Sequence, residues 1–234
     1  MRRLSILIPV YNEEQLILSL LQRVAEVALP GIEKEIIVID DASTDGTVQR
    51  VQAFAQQQPV LLVRHEANRG KGGAIHSGIA AATGEVIVVQ DADLEYDPAD
   101  YPELVGPIFA GRADVVYGSR FVGSKAHRVL FFYHYLANRF LTFLSNLFTN
   151  LNLTDMETGA KAFRAEVLKS LHLKEPRFGF EPEVTAKVSR VKKVRIYEVG
   201  VSYYGRTYEE GKKIRWTDGL KAIWYILKYN IWAR

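Results

Sequence analysis

Asp91-Ala92-Asp93 follows the unbroken apolar run Val86-Ile87-Val88-Val89. Such a run predicts a buried strand, so both carboxylates stand at its carboxyl end. Two hard oxygen ligands there suit Mg²⁺ or Mn²⁺. A cation so held can grip a diphosphate and stabilise the charge that builds as it leaves. Three further polar stretches follow other apolar runs. Pro9-Val10-Tyr11-Asn12-Glu13-Glu14 offers a ring to stack on a base and polar groups for a ribose, although Asn12 equally suits a helix cap. Asp40-Asp41-Ala42-Ser43-Thr44-Asp45-Gly46-Thr47 offers acceptors for a base or for ribose hydroxyls, while Asp45 and Thr47 suit a turn and helix start. Asn68-Arg69-Gly70-Lys71-Gly72-Gly73-Ala74 lets backbone approach a ligand and adds positive charge. It lacks the spacing of a P-loop, and no G-x-G-x-x-G follows the first strand, which argues against a nicotinamide dehydrogenase.

The elements that must carry these groups alternate. Residues 4–10, 35–40, 60–64, 85–90 and 114–117 read as strands, and their apolar character suggests burial on both faces of a mostly parallel sheet. Helical patterns lie between them at about 13–28, 45–57, 72–82 and 99–110, with Ser43 and Asp45 as candidate caps of the second. The succession is α/β. No internal repeat or linker divides the chain, so residues 1–234 read as one domain. Met1-Arg2-Arg3 followed by a short apolar run reads as a first buried strand rather than a signal peptide, because the run stops at Pro9 without a small-residue cleavage site.

Charge is unevenly distributed. Residues 1–110 carry 8 Lys+Arg against 16 Asp+Glu, a balance of −8, while residues 111–234 carry 22 against 11, or +11. A basic second half suits phosphates or an anionic membrane surface. Nucleic acid is not expected as a partner, since no helix-turn-helix, zinc finger or aromatic RNA-binding motif is present. With no cysteine, the 234 residues form no disulfide, zinc–thiolate site or thiol nucleophile, which fits a reducing compartment. Residues 129–151 are rich in Phe, Tyr and Leu but interrupted by His134, Asn138, Arg139, Asn146 and Asn150. Arg near the centre of a span costs about 2.5–3.5 kcal/mol on insertion scales. The stretch therefore reads as an amphipathic helix at a membrane interface, or as one packed on a core. Residues 220–234 repeat the theme, with Trp224, Tyr225, Tyr229 and Trp232 beside Lys221, Lys228 and Arg234.

Taken together, P-V-Y-N-E-E (9–14), D-D-A-S-T-D-G-T (40–47), N-R-G-K-G-G-A (68–74) and D-A-D-L-E-Y-D-P (91–98) resemble family 2 glycosyltransferases with the GT-A fold. G-S-R-F (118–121), T-D-M-E-T-G-A-K-A-F (154–163), F-G-F-E-P-E (178–183) and S-Y-Y-G-R-T-Y-E-E-G-K-K (202–213) resemble the dolichyl/polyprenyl-phosphate mannosyl- and glucosyltransferase-like branch. The resemblance implies a nucleotide-sugar half over about 1–118 and an acceptor- or membrane-facing half over about 119–234. It places Pro9, Tyr11, Glu13, Asp40, Asp41 and Lys71 around the nucleoside. It gives Asp91 and Asp93 to Mg²⁺ or Mn²⁺. Glu95 stands where the pattern has glutamine and is a third candidate metal ligand. Arg120 would face acceptor or donor phosphates, and Arg206 and Lys212 would close over the diphosphate. A second acceptor arginine is left open between Arg128 and Arg139, with His134 weaker.

The implied reaction moves a hexose, with inversion, from a UDP- or GDP-linked donor to a polyprenyl or dolichyl monophosphate. The protein would lie peripherally on the cytoplasmic face of the membrane; a homo-oligomer is left open. A phosphate monoester is largely ionised near pH 7 and needs positioning more than deprotonation. The alternative is a soluble or saccharide hydroxyl acceptor, with Asp155 as general base; Asp155 and Glu157 equally suit shaping the acceptor-side loop.

Overall fold

The computed structural model describes residues 2–123, 125, 128, 129, 131–177, 179–207, 209 and 216–233. Among these, strands β1 (Arg2–Val10), β2 (Ile32–Asp40), β3 (Val60–Arg64), β4 (Val86–Val89), β5 (Val115–Ser119), β6 (Lys161–Arg164) and β7 (Ile196–Gly200) form one sheet. Its order is β3-β2-β1-β4-β6-β5-β7. The pairings are parallel, except that β6 runs antiparallel to both β4 and β5. Helices α1 (Ile17–Glu26), α2 (Thr47–Ala55), α3 (Gly70–Ala81), α4 (Tyr101–Phe109), α5 (Phe132–Thr149), α6 (Ala165–Ser170), α7 (Phe180–Val188) and α8 (Trp216–Leu227) flank it.

The unbroken apolar runs are explained by two cores. Leu4, Ile6 and Ile8 of β1 and Val86 and Val88 of β4 pack with α1, α2 and α4 on one face. Leu7, Ile87 and Val89 pack with α3, α5, α6, α7 and α8 on the other. A strand buried on both faces has no polar alternation to show.

Two features bring the chain's chemistry to one edge. The carboxyl ends of parallel strands β1, β2, β4 and β5 point the same way, the usual place for a ligand crevice in an α/β sheet. Because β6 is antiparallel, it begins at that same end: Lys161 pairs with Val89 of β4 and Tyr117 of β5. The segment before it, 154–160, therefore crosses between the ends of β4 and β5. β6, β7, α6 and α7 go beyond the elements read from the sequence.

Helix α5 turns Leu141, Thr142 and Ser145 inward and leaves Phe132, Tyr133, Leu136, Phe140, Phe143 and Leu147 exposed, Tyr133 by 80%. It ends at Asn150 in the left-handed conformation (φ 55°), a common helix stop. Trp224 and Trp232 stack at 5.6 Å on an exposed part of the α8 end. Among the described residues no helix is long and apolar enough to cross a membrane.

Candidate active site

The first wall of the site is the start of α3. Its opening amides need partners, and Asp41 at the end of β2 accepts from Arg69 N at 2.8 Å and Gly70 N at 2.7 Å. His65 Nδ1 lies 2.7 Å from the same carboxylate. Asp41 thus anchors α3. From the other side, Gly73 N donates to Pro176 O at 2.9 Å, and Gly72 lies so close to the 175–177 backbone that any Cβ there would clash. Held this way, Lys71 puts Nζ 2.8 Å from Asp91 and 3.1 Å from Glu181, at the start of α7. Burial opposes its charge, but Asp91 and then Glu181 overcome that and hold the ammonium well above its ordinary range.

The second wall follows β4. Asp93 Oδ1 accepts from Glu95 N at 3.1 Å across Leu94, which sits at φ 60°, a costly conformation for a residue with a side chain. The tight turn presents Asp93 and Glu95 to one arginine. Arg206 Nη2 lies 3.0 Å from Asp93 and its Nε 3.3 Å from Glu95. Glu95 also accepts from Tyr203 Oη at 2.7 Å and Arg206 N at 3.1 Å. It therefore fastens the 203–206 segment over the strand end. Burial, then Asp91 and Glu95, push the Asp93 carboxyl up to about 7, against Arg206.

The third wall is acceptor-like in its chemistry. Arg120, just after β5, makes a fork to Asp155, Nε–Oδ2 2.6 Å and Nη2–Oδ1 2.7 Å, and its own N donates to Asp155 at 3.1 Å. Asn138 on the inner side of α5 donates to Asp155 at 3.0 Å. Glu198 accepts from Thr154 N and Asp155 N at 2.9 and 3.2 Å. The Tyr203 ring lies 5.2 Å from the Arg120 guanidinium. Burial would raise the Asp155 carboxyl, but Arg120 dominates and keeps it low. A carboxylate with both oxygens engaged and its acidity strengthened is a poor general base.

The residues expected around a nucleoside form a rim. Asn12 N donates to Ser43 Oγ at 3.0 Å, Thr44 N to Asn12 Oδ1 at 2.8 Å, and Glu13 N to Thr47 Oγ1 at 2.9 Å. These bonds knit the ends of β1 and β2 together, with Pro9 in β1, Tyr11 43% exposed and Asp40 fully buried. Asp40 accepts weakly from Ser43 N at 3.3 Å. Asp45 accepts from Thr47 N at 3.0 Å beside the start of α2. Arg128 donates to Gly205 O at 2.9 Å, while Arg139 is exposed. Lys212 lies outside the described residues.

Asp91 and Asp93 are suitable donors for Mg²⁺ or Mn²⁺. Burial first, and then the charges of Asp91 and Glu95, push the Asp93 carboxyl up against Arg206, and a cation bound there would relieve that repulsion. Among the described residues no three His, Cys, Asp or Glu side chains converge on one metal position.

Several residues of this arrangement had no role assigned from the sequence. Glu181, Asn138, Tyr203 and Lys161 become functional neighbours only through the fold. Lys161 is buried beneath the site, its Nζ against Thr158 O and 5.2 Å from the Tyr117 ring. Burial drives its amine down to about 8. Glu157, on the 154–160 loop before β6, is pushed up to about 7 by burial and then Glu181.

Comparison with known proteins gives the class to which this strand-end cluster of carboxylates, lysine and arginines belongs, the glycosyltransferases. Residues 5–171 match the family model described as Glycosyl transferase family 2, and the chain belongs to that family. A dolichol-phosphate mannosyltransferase of Pyrococcus furiosus is 30% identical over 97% of this chain and 64% of its own length. This chain thus spans less than two thirds of that relative's length. An undecaprenyl-phosphate mannosyltransferase of Micrococcus luteus is 31% identical over 99% of this chain and 96% of its own. Among solved structures, glucosyl-3-phosphoglycerate synthase from Mycobacterium tuberculosis, in complex with Mn²⁺, UDP and phosphoglyceric acid, superposes with a TM-score of 0.76 at 24% identity. It covers 98% of this chain and 79% of that one. The architecture is the GT-A fold.

Proposed function

We propose that this protein transfers a hexose, mannose or glucose, from a UDP- or GDP-linked donor to a polyprenyl monophosphate, with inversion. It would act peripherally on the cytoplasmic face of a membrane, where nucleotide sugars are available. The observation that carries this reading is the double use of α5. Its inner side supplies Asn138 to the Arg120–Asp155 pair, and its outer side is exposed aromatic and aliphatic surface. One helix thus joins a phosphate-binding type of residue to a surface suited to a bilayer. The named relatives from Pyrococcus and Micrococcus act on isoprenoid phosphates, which supports the same acceptor.

In this reading Asp91 and Asp93 would hold Mg²⁺ or Mn²⁺ with the donor's diphosphate, supplying electrostatic stabilisation of the leaving group. Lys71 orients the Asp91 carboxylate, and Glu95 keeps Arg206 at the diphosphate. Tyr11 stacks on the base, while Pro9, Glu13 and Asp40 line the nucleoside. Asp41 acts by anchoring α3. Arg120 positions the acceptor phosphate with the guanidinium N–H groups that its fork to Asp155 leaves over. An acceptor hydroxyl would need a base, and Asp155 is committed to Arg120.

The test is a screen of nucleotide hexoses with polyprenyl phosphate in vesicles, with and without Mn²⁺, read by mass spectrometry of extracted lipid. A hexosyl phosphoprenol that forms only with divalent cation is expected. Sugar transfer confined to water-soluble products rules the lipid acceptor out.

A further inference from the structure

The geometry points to Glu157 as the residue that reads a hydroxyl group of the transferred hexose. This rests on the nucleotide-sugar reading above and assigns its sugar pocket.

The position of Glu157 follows from how its loop is tied at both ends. At one end Asp155 is locked to Arg120, on the acceptor side. At the other, Gly159 N donates to Tyr96 Oη at 3.0 Å, and the missing side chain of Gly159 leaves room for the Asp91 carboxylate, which any Cβ would strike. Glu157 is midway along this bridge, between the diphosphate end and the acceptor end. A hexose whose anomeric carbon is to move from one to the other must occupy that interval.

Its side chain is set up for a ligand's proton. Glu157 Oε1 is buried and has no hydrogen-bond partner among the described residues. Buried polar atoms are almost always paired, so this orphaned carboxylate oxygen, on the loop between the two ends, is open to a donor from outside the chain, a water or a ligand hydroxyl. The surrounding charges say which donor. Arg120 and Lys161 act on Glu157 favourably, Glu181 and Asp155 unfavourably. The two cations are offset by two further carboxylates, which leaves no net positive charge to favour a phosphate at the Glu157 oxygen itself, whereas a hydroxyl can donate to it. The same charges disfavour a sugar carboxylate, so neutral hexoses should be preferred over hexuronates.

Glu157→Gln, which keeps size and removes charge, tests this with a panel of nucleotide hexoses, their monodeoxy analogues and a nucleotide hexuronate. The variant should lose about 10–100-fold in kcat/KM for the preferred hexose. Binding of the free nucleoside diphosphate should be unchanged, which also reports an intact fold. One deoxy analogue should be poor for the wild type yet little affected by the substitution, and relative use of the hexuronate should rise. Equal loss of kcat on every donor, with donor KM constant, would make Glu157 a general base and overturn the assignment. Unchanged discrimination would overturn it as well. If the wild type takes no nucleotide sugar, the parent reading fails first and this one with it.

Discussion

Arg206 Nη2 lies 3.0 Å from Asp93 Oδ2, so the guanidinium occupies one face of the carboxylate proposed to meet a divalent cation. The same arginine is fixed by Glu95. Positive charge is therefore already supplied to the strand end by the protein, and a metal ion must compete with it or displace it toward the diphosphate.

Replacing Arg206 with Gln should consequently enlarge the gain in Tm produced by Mn²⁺ while lowering turnover. Thermal denaturation with and without the ion measures the first effect. An unchanged gain means that Arg206 and the cation do not share Asp93.

The burial of Asp93, together with the neighbouring charges of Asp91 and Glu95, gives stability a specific pH dependence. Its folded-state pKa is about 7 against an ordinary 3.8. Between those values the native state keeps a proton that the unfolded chain has lost. The contribution is thus favourable near pH 4 and is lost as pH rises through about 7. Asp93→Asn should raise the Tm of the cation-free protein at pH 7.5 and leave it nearly unchanged at pH 4. A Tm that falls equally at both values contradicts the raised pKa of Asp93.

Asp155 acts through Arg120. Asp155→Asn should weaken the fold as well as activity, because it leaves a buried guanidinium without its counter-charge, a loss of about 3–5 kcal/mol when a buried pair is broken. Chemical denaturation separates the roles. Full stability with abolished turnover is the signature of a general base instead.

The outward face of α5 should be dispensable for folding. Phe132→Ser, Phe143→Ser and Leu147→Ser together remove three exposed apolar side chains. Partition onto anionic vesicles should fall about 100-fold if each contributes about 1 kcal/mol, less than full burial. Tm should hold within a few degrees, and turnover of a short, soluble prenyl phosphate should persist. Undiminished vesicle binding removes α5 as the docking surface.

The parts legible in the sequence are those whose signal is local. β1 to β5 announce themselves because burial on both faces leaves continuous apolar runs; Asp91 stands out because it follows such a run and Lys71 because it sits in a glycine cluster, whereas Arg120 is marked only by the family resemblance of G-S-R-F. β6 was hidden because it has only four residues and begins with lysine, a residue that reads as solvent-exposed yet is 1% exposed here. Glu181 and Tyr203 had no local mark. The Lys71–Glu181 and Glu95–Arg206 pairs join residues 110 and 111 positions apart, and only the sheet order brings them together. Asp41 has the acidic character expected of a nucleoside ligand, but its carboxylate is spent on the start of α3.

Calorimetric titration of UDP- and GDP-linked hexoses into the wild-type protein and Asp91→Ala, each with and without Mn²⁺, interrogates the donor site most directly. One nucleotide sugar should bind the wild type in a cation-dependent manner, and that dependence should disappear in the variant. Cation-independent binding that survives Asp91→Ala, or no binding of any nucleotide sugar, would contradict a carboxylate-held cation at the end of β4.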